Sequence, residues 1–210
     1  MFESDLRGLY AITDSGPRTP DEWVSVCESV LRGGAQVLQY RDKSDDAAHR
    51  EANATALVVL CRRYRALLII NDDVELALRA GAHGVHLGRE DTDIAIARQR
   101  LGKDRLIGVS CYNELSRAEA ASAAGADYVA FGSFYASPTK PGAVRADPEL
   151  LEKARRKLGL PLVAIGGITP ENGASLICAG ADMLAVISGV FQQPDPTAAA
   201  KRYARLFKNQ

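Results

Sequence analysis

Charged and amide side chains cluster directly after one of the apolar segments of the sequence. The segment 35–41 delivers Gln39, Tyr40 and Arg41, and Asp42 and Lys43 follow at once. Because an extended chain points successive side chains to opposite faces, we expect Gln39, Arg41 and Lys43 on one face and Tyr40 and Asp42 on the other. Two cations and an amide on one face are suited to binding a multiply charged anion. A solvated loop that follows a strand is the alternative interpretation.

Two carboxylates follow the next two apolar segments. Asp72 ends the segment 66–72, and Asp91 comes shortly after the segment 84–88. Carboxylates that meet at one edge of a sheet can share Mg²⁺, which typically takes one or two of them and completes its shell with water and phosphate oxygens. Beside the cations of segment 39–43, the pair therefore predicts a magnesium diphosphate site. Alternatively, each carboxylate caps the helix that follows it.

Small and hydroxyl residues follow the later apolar segments. Glycine pairs let backbone approach a phosphate closely, and N–H groups at the start of a helix bind it. We therefore expect a second, uncharged anion site in addition to the cationic one. Such a pair of sites suits a diphosphate-bearing substrate that meets a monophosphate-bearing one. The residues that follow these segments are Ser110, the loop residues Ser137, Pro138, Thr139 and Lys140 within 136–146, Gly166 with Gly167, and Ile187 with Ser188. The uncharged site is expected at the last two pairs.

The elements that must position these residues alternate along the whole chain. Continuous apolar runs predict strands that are covered on both faces, as in a parallel sheet. Segments rich in Ala, Leu, Glu, Arg and Lys predict the helices between them. The expected strands are 6–13, 35–41, 66–72, 84–88, 105–110, 127–134, 160–167 and 182–189, and the expected helices are 21–31, 47–64, 74–80, 94–101, 115–124, 148–158, 171–179 and 196–207.

A repeated Gly-Ala dipeptide, called here the Gly-Ala echo, favours a closed barrel over a doubly wound sheet. The dipeptide begins at Gly34, Gly81, Gly125 and Gly180, and its copies precede every second predicted strand. Glycine there can adopt the left-handed conformation that ends a helix. We predict one (β/α)8 TIM-barrel domain over 1–210, whose active site lies at the carboxyl ends of its strands. We also expect Thr169-Pro170 and Asp147-Pro148 to be an N-cap followed by the first residue of a helix.

Composition excludes several classes of partner and compartment. Of 210 residues, 47% are hydrophobic and 25% charged, which is typical of a folded globular protein. The 26 Lys and Arg balance the 26 Asp and Glu, so we expect no nucleic-acid or membrane partner. Four dispersed cysteines without a C-x-x-C pair predict a cytoplasmic protein. The oligomeric state stays open, a homo-oligomer included. His86, inside an apolar segment, is expected to be a hydrogen-bonded interior residue.

An ordered set of motifs resembles the thiamine-phosphate synthase family across essentially the whole chain. No single motif is specific, whereas the set in this order is. The motifs are QYRDK (39–43), NDD (71–73), HLGREDTD (86–93), GVSCYN (108–113), FGSFYASPTKPGA (131–143), AIGGI (164–168) and VISG (186–189).

The resemblance implies a transferase that builds thiamine phosphate with Mg²⁺. Such enzymes join 4-amino-2-methyl-5-hydroxymethylpyrimidine diphosphate to 4-methyl-5-(2-phosphoethyl)thiazole, or to its carboxylated tautomer, and release diphosphate. It implies catalytic roles for Arg41, Lys43, Ser110 and Lys140. By the same resemblance, the pyrimidine diphosphate is bound by Gln39, Tyr40, Arg41, Asp42 and Lys43 together with Asn71 and Ser110, and Lys140 reaches its diphosphate. Asp72 and Asp91 are the implied ligands of Mg²⁺. The implied thiazole phosphate site is lined by Ser137, Pro138 and Thr139, and the implied phosphate-binding residues are Gly167, Ile187 and Ser188.

One departure from the family pattern and two rival functions stand beside this assignment. The family often has Pro-Thr where this chain has Ala136-Ser137; serine keeps the hydroxyl, while the rigidity of the loop is in question. A thiazole tautomerase would keep the phosphate loops without needing the cationic and acidic set. A non-catalytic barrel that binds thiamine precursors is the other rival, and Mg²⁺-dependent release of diphosphate separates both from the synthase.

Overall fold

Eight parallel strands close into a barrel, each paired with its neighbours in sequence. The computed structural model describes residues 6–14, 18–136, 142 and 144–208. Within these residues the first and last strands pair through Gly8–Met183 and Tyr10–Ala185, which completes the cylinder. The strands are β1 (Gly8–Ile12), β2 (Ala35–Tyr40), β3 (Leu67–Asn71), β4 (Gly84–Leu87), β5 (Leu106–Tyr112), β6 (Tyr128–Phe131), β7 (Leu162–Ile165) and β8 (Met183–Val186).

Helices follow the strands and form the outer layer. Those found among the described residues are α1 (Pro20–Arg32), α2 (Ala47–Arg63), α3 (Val74–Ala80), α4 (Ile94–Leu101), α5 (Leu115–Ala123), α6 (Glu149–Lys157), α7 (Gly173–Cys178), α8 (Ser188–Phe191) and α9 (Pro196–Arg205). In the described part of the chain, none of them has the length and apolar character needed to cross a membrane.

Two hydrophobic layers hold the barrel together. Side chains that alternate outward along the strands, such as Leu38 and Val109, pack against the helices in the larger layer. Inward-pointing side chains, among them Tyr10, Ile69 and Tyr128, fill the cylinder itself. The alternation of the strands therefore sorts residues into a helix-facing set and an interior set, and it is the interior set that leads to the mouth of the barrel.

The predicted (β/α)8 barrel is confirmed, with corrections at the ends of elements. The four glycines of the Gly-Ala echo have positive φ, from 70° to 116°. The two proline-start predictions are wrong, because α6 begins at Glu149 and α7 at Gly173. The last strand prediction, 182–189, is too long, since β8 ends at Val186 and the one-turn helix α8 begins at Ser188.

Candidate active site

The buried Thr13, which follows β1, joins the end of β1 to the carboxyl end of β2 by hydrogen bonds. The Thr13 amide donates to the Gln39 carbonyl across 2.9 Å. The Thr13 hydroxyl accepts from the Arg41 amide at 2.8 Å and donates to the Arg41 carbonyl at 3.1 Å. Because Thr13 is fully buried, these bonds fix the backbone at Arg41. Sequence reasoning missed Thr13, which has only its position after an apolar strand to mark it.

The residues of 39–43 lie on two sides of the barrel wall. Gln39 points into the cylinder, where its amide nitrogen donates to the Tyr10 hydroxyl at 2.7 Å. Tyr40 is buried in the layer between strands and helices, and its hydroxyl donates to Asp42 at 2.8 Å. The Lys43 ammonium lies 2.6 Å from an Asp72 carboxylate oxygen. Gln39 and Lys43 thus face the mouth, whereas Tyr40 faces the helices.

The carboxyl groups of the two predicted metal ligands lie close enough to perturb each other's pKa. Asp72 lies at the end of β3 in a left-handed conformation, with φ 64°, and its amide donates to the His86 carbonyl at 2.9 Å. Asp91 accepts from the Gly88 amide at 2.6 Å. A cavity of about 740 Å³ opens beside Lys43, Asn71 and Asp72 and extends outward over the starts of α3 and α4.

Neither carboxylate of the pair caps a helix. The cap of α3 is Asp73, which accepts from the Leu76 amide at 2.8 Å, and the cap of α4 is Asp93. The capping interpretation of Asp72 and Asp91 is therefore wrong. The neighbouring aspartates satisfy the helices and leave the pair to face each other at the mouth.

The electrostatic environment of the pair fits a divalent cation. Burial by itself would raise the pKa of Asp72, but hydrogen bonds from Lys43, Asp91 and Asn71 hold that pKa below its ordinary value. Burial and the contact with the Asp72 carboxylate raise the pKa of Asp91 above its ordinary value. Two facing carboxylates match the usual protein ligands of Mg²⁺, whose positive charge would offset the repulsion between them. Among the described residues, no cluster of three or more His, Cys, Asp or Glu competes as a metal site.

Ser110 and His86 continue the interior face of the barrel. The prediction that His86 is a hydrogen-bonded interior residue is confirmed: its Nε2 lies 2.9 Å from the Ser110 hydroxyl and its Nδ1 lies 3.2 Å from the Tyr128 hydroxyl. Burial lowers the pKa of His86 to about 4, so the imidazole is neutral near pH 7. Ser110 itself is half-buried at the carboxyl end of β5.

The opposite side of the mouth carries the glycine pair. Gly166 and Gly167 have φ of 104° and 62°, a region that favours glycine. A Cβ on Gly167 would lie 2.3 Å from the Ala136 carbonyl oxygen, so the turn leaves no room for a side chain. Nearby, the Tyr135 amide donates to the Gly166 carbonyl at 2.9 Å. The loop after β6 therefore runs directly along the end of β7.

Both ends of the loop after β6 are tied at one residue. The Ser133 amide donates to the Val144 carbonyl at 3.0 Å, and the Ala146 amide donates back to the Ser133 carbonyl at 2.9 Å. The loop therefore leaves and re-enters the barrel at the mouth. The predicted ligands that it carries, Ser137, Pro138, Thr139 and Lys140, lie outside the described residues.

The end of β8 completes this side. Ile187 and Ser188 are half-buried, and Ser188 is the first residue of α8. The first N–H groups of a helix have no partner within it and are therefore suited to an anion. Together with the glycine pair, they form an uncharged rim across the mouth from Lys43 and the carboxylate pair.

Comparison with known proteins agrees with this geometry. The family model described as thiamine monophosphate synthase matches residues 9–190. The thiamine-phosphate synthase of Thioalkalivibrio sulfidiphilus is 57% identical over 203 residues, which cover 97% of this chain and 96% of that protein. The one of Aromatoleum aromaticum is 53% identical over 207 residues, 99% of each chain.

A solved structure is similar over nearly its whole length. The thiamine phosphate pyrophosphorylase from Pyrococcus furiosus superposes with a TM-score of 0.88 at 32% identity, and the match covers 98% of this chain and 97% of that one. Sequence and structure thus agree from the first strand to the last. The chain belongs to the thiamine monophosphate synthase family.

Proposed function

We propose that this protein condenses 4-amino-2-methyl-5-hydroxymethylpyrimidine diphosphate with the thiazole phosphate, or its carboxylated tautomer, to give thiamine phosphate and diphosphate. The observation that carries the proposal is the pairing of Asp72 with Asp91 beside Lys43, while the adjacent Asp73 and Asp93 cap the helices. A barrel that only bound or isomerised a thiazole phosphate would not need this acidic and cationic rim.

The reaction is a dissociative displacement at the methylene carbon of the pyrimidine. The bond from that carbon to the diphosphate oxygen breaks first, and its electron pair leaves with the diphosphate. The aminopyrimidine ring donates electron density to the carbon, which the thiazole nitrogen then attacks to form the new C–N bond. With the carboxylated tautomer, the carboxylate then leaves as CO₂, the electron pair of the broken C–C bond stays with the heterocycle, and the heterocycle takes up one proton from water. This sequence needs neither a strong base nor a protein nucleophile.

The cationic rim stabilises the leaving group. Arg41, Lys43 and Lys140 are the proposed cations, and Gln39, Asn71 and Ser110 are the proposed polar contacts of the pyrimidine diphosphate. Tyr40 and Asp42 belong to the same motif and support the strand end from the helix side. Charge stabilisation that is preorganised for the transition state is commonly the largest catalytic contribution.

The carboxylate pair is the proposed magnesium site. Asp72 and Asp91 would hold the ion, whose contribution when bound is to neutralise charge on the diphosphate oxygens. Between them, the chain's own residues bind the diphosphate end and leave the pyrimidine carbon directed across the mouth.

The uncharged rim positions the second substrate. Gly167, Ile187 and Ser188 are the proposed ligands of the thiazole phosphate, with Ser137, Pro138 and Thr139 from the loop above them. Holding both substrates in one mouth aligns the thiazole nitrogen with the reacting carbon, which makes the step effectively unimolecular. Small molecules are the only proposed partners and the cytoplasm the proposed compartment, supported by the balanced charge and the dispersed cysteines.

Release of diphosphate tests the proposal. The purified protein is incubated with both substrates and Mg²⁺, and matched reactions omit one substrate or add excess chelator. We expect equal amounts of diphosphate and thiamine phosphate in the complete reaction and neither in the others. Isomerisation of the thiazole phosphate without diphosphate release, or tight binding without turnover, would overturn the proposal.

A further inference from the structure

A continuous chain of hydrogen bonds crosses the interior of the barrel. It begins at Gln39 on β2, whose amide nitrogen lies 2.7 Å from the Tyr10 hydroxyl on β1. The Tyr10 and Tyr128 hydroxyls are 2.8 Å apart. Tyr128, on β6, is 3.2 Å from His86 Nδ1, and His86 Nε2 is 2.9 Å from the Ser110 hydroxyl on β5. The chain therefore links two proposed substrate contacts, Gln39 and Ser110, through three interior residues.

The interior members of the chain are held rigidly. Tyr10 and Tyr128 are at most 1% exposed, and His86 is 8% exposed. The His86 and Tyr128 rings stack with centroids 5.6 Å apart. Gly108 makes room for Tyr128, because a Cβ at that position would lie 1.9 Å from the ring carbon that bears the hydroxyl. Because the two tyrosine side chains are packed this tightly, the Tyr10 and Tyr128 hydroxyls have few alternative hydrogen-bond partners.

The direction of the protons follows from the first and second links. The amide nitrogen of Gln39 has no lone pair to offer, so it donates to the Tyr10 oxygen. The Tyr10 hydroxyl has one proton of its own. Among the described residues, its only other partner is the Tyr128 hydroxyl. Tyr10 must therefore donate to Tyr128, because otherwise a buried O–H would have no acceptor.

The remaining links follow in the same direction. Having accepted from Tyr10, Tyr128 donates to His86 Nδ1. A neutral imidazole carries one proton, which then resides on Nε2 and is donated to the Ser110 oxygen. If the hydrogen bonds ran in the opposite direction, the Tyr10 hydroxyl proton would have no acceptor. Leaving a buried donor without a partner lowers the population of that arrangement on the order of 10- to 100-fold.

We propose that His86, fixed as its Nε2-protonated tautomer through Tyr10 and Tyr128, is a positioning residue that turns the hydroxyl proton of Ser110 into the mouth, toward an anionic leaving group. Among the described residues, His86 is the one hydrogen-bond partner of the Ser110 hydroxyl, and its N–H occupies the acceptor side of that oxygen. The Ser110 proton is then available to the departing diphosphate. This inference rests on the proposed function for the identity of the anion, and on geometry alone for the tautomer.

The tautomer can be observed without any substrate. The chain has three histidines, so ¹⁵N-histidine labelling gives few signals, and His49→Gln and His83→Gln variants assign the other two. We expect the His86 proton on Nε2 in the wild-type protein and a mixture of tautomers in Tyr128→Phe. A proton on Nδ1, or a mixture in the wild type, would overturn the inference. This measurement decides the inference even where the wild type releases no diphosphate, a result that overturns only the proposed function.

A double-mutant cycle tests whether the chain acts through Ser110. We expect Ser110→Ala to lower kcat about 10- to 100-fold, the effect of losing one hydrogen bond to a charged group, with a smaller change in KM. Tyr128→Phe should lower kcat about 10-fold in the wild type and leave kcat unchanged in the Ser110→Ala background. Effects that multiply in the double variant would contradict a route through Ser110.

A matched tyrosine serves as the control. The Tyr64 hydroxyl donates to Glu28 at 2.8 Å between α1 and α2, away from the mouth. Tyr64→Phe removes a comparable hydroxyl and should leave kcat and the His86 tautomer unchanged. Thermal unfolding of each variant verifies that it is folded. A loss of kcat in Tyr64→Phe equal to that in Tyr128→Phe would show that the effect is general destabilisation, and would overturn the inference.

Discussion

Replacing Asp91 by asparagine removes one carboxylate of the pair and keeps the hydrogen bond that Asp91 accepts from the Gly88 amide. The Gly88 amide, 2.6 Å from Asp91, can donate equally to the amide oxygen of asparagine. The asparagine N–H can donate to the Asp72 carboxylate. We therefore expect the free energy of unfolding without metal to change by less than about 1 kcal/mol, because no hydrogen bond is lost.

Metal dependence should change far more than stability in this variant. Loss of a partner that only supports a metal ligand typically costs about 10- to 100-fold in affinity, and Asp91 is proposed as a ligand itself. We expect the Mg²⁺ concentration for half-maximal diphosphate release to rise by at least that factor. Steady-state release across a Mg²⁺ titration, with both substrates saturating, measures it.

Asp93→Asn is the matched control. It removes the same charge two residues away from Asp91. Asparagine caps a helix as well as aspartate does, so the hydrogen bond from the Ala95 amide to residue 93, which is 2.9 Å long in the wild type, should be kept. We expect its Mg²⁺ dependence to equal that of the wild type. If Asp91→Asn also kept the wild-type dependence, or if both variants shifted equally, the pair would not be the metal site.

Three further variants test other parts of the site and the barrel. Lys43→Met should change the free energy of unfolding by less than about 1 kcal/mol, because the Lys43 side chain of the ion pair with Asp72 is 56% exposed. It should nevertheless lower kcat about 100-fold. Thermal unfolding and steady-state kinetics measure the two effects, and an unchanged kcat would contradict the role of Lys43. Gly167→Ala should lower the free energy of unfolding by about 1–2 kcal/mol because of its φ of 62°, and by more because the Ala136 carbonyl is close. It should raise KM for the thiazole phosphate more than KM for the pyrimidine diphosphate. An equal rise in both KM values would refute the assignment of the two rims. Burial lowers the pKa of His86 from 6.5 to about 4, so between these pH values the unfolded chain binds a proton that the folded chain does not. The free energy of unfolding should therefore fall by on the order of 3 kcal/mol as pH falls through this range. Urea unfolding of His86→Phe should show a flatter dependence of that free energy on pH than the wild type, and identical slopes would contradict this.

The barrel could be predicted because its strands are covered on both faces. Continuous apolar runs such as 66–72 and 160–167 indicate that kind of burial directly. The ends of elements could not be predicted as well. The apolar run 182–189 suits either a longer strand or a strand and one helical turn, and the structure has the second. A helix of one turn is shorter than the period that would reveal it.

Residue types identified the acidic rim, while backbone conformation decided which aspartates form it. Each candidate has a neighbouring aspartate, and either member could cap the helix. The left-handed φ of Asp72 turns that residue toward Asp91 and leaves Asp73 to cap α3. No pattern of residue types marks a non-glycine left-handed residue in advance.

The interior hydrogen-bond chain was predicted only in part. The place of His86 in an apolar strand predicts a hydrogen-bonded interior residue. Its partners are Ser110 on the neighbouring strand β5, 24 residues away, and Tyr128 on β6, 42 residues away, and distances of this size along the chain give no sequence signal of contact. Alternation along β4 and β5 does point His86 and Ser110 inward, which is the signal that could have linked them.

A crystal structure of the protein with Mg²⁺, diphosphate and thiamine phosphate tests the division of the mouth most directly. We predict one metal ion between Asp72 and Asp91, in contact with diphosphate oxygens, and the phosphate of the product at the backbone of Gly167 and Ser188. A metal bound elsewhere, or both anions on the same rim, would contradict the account.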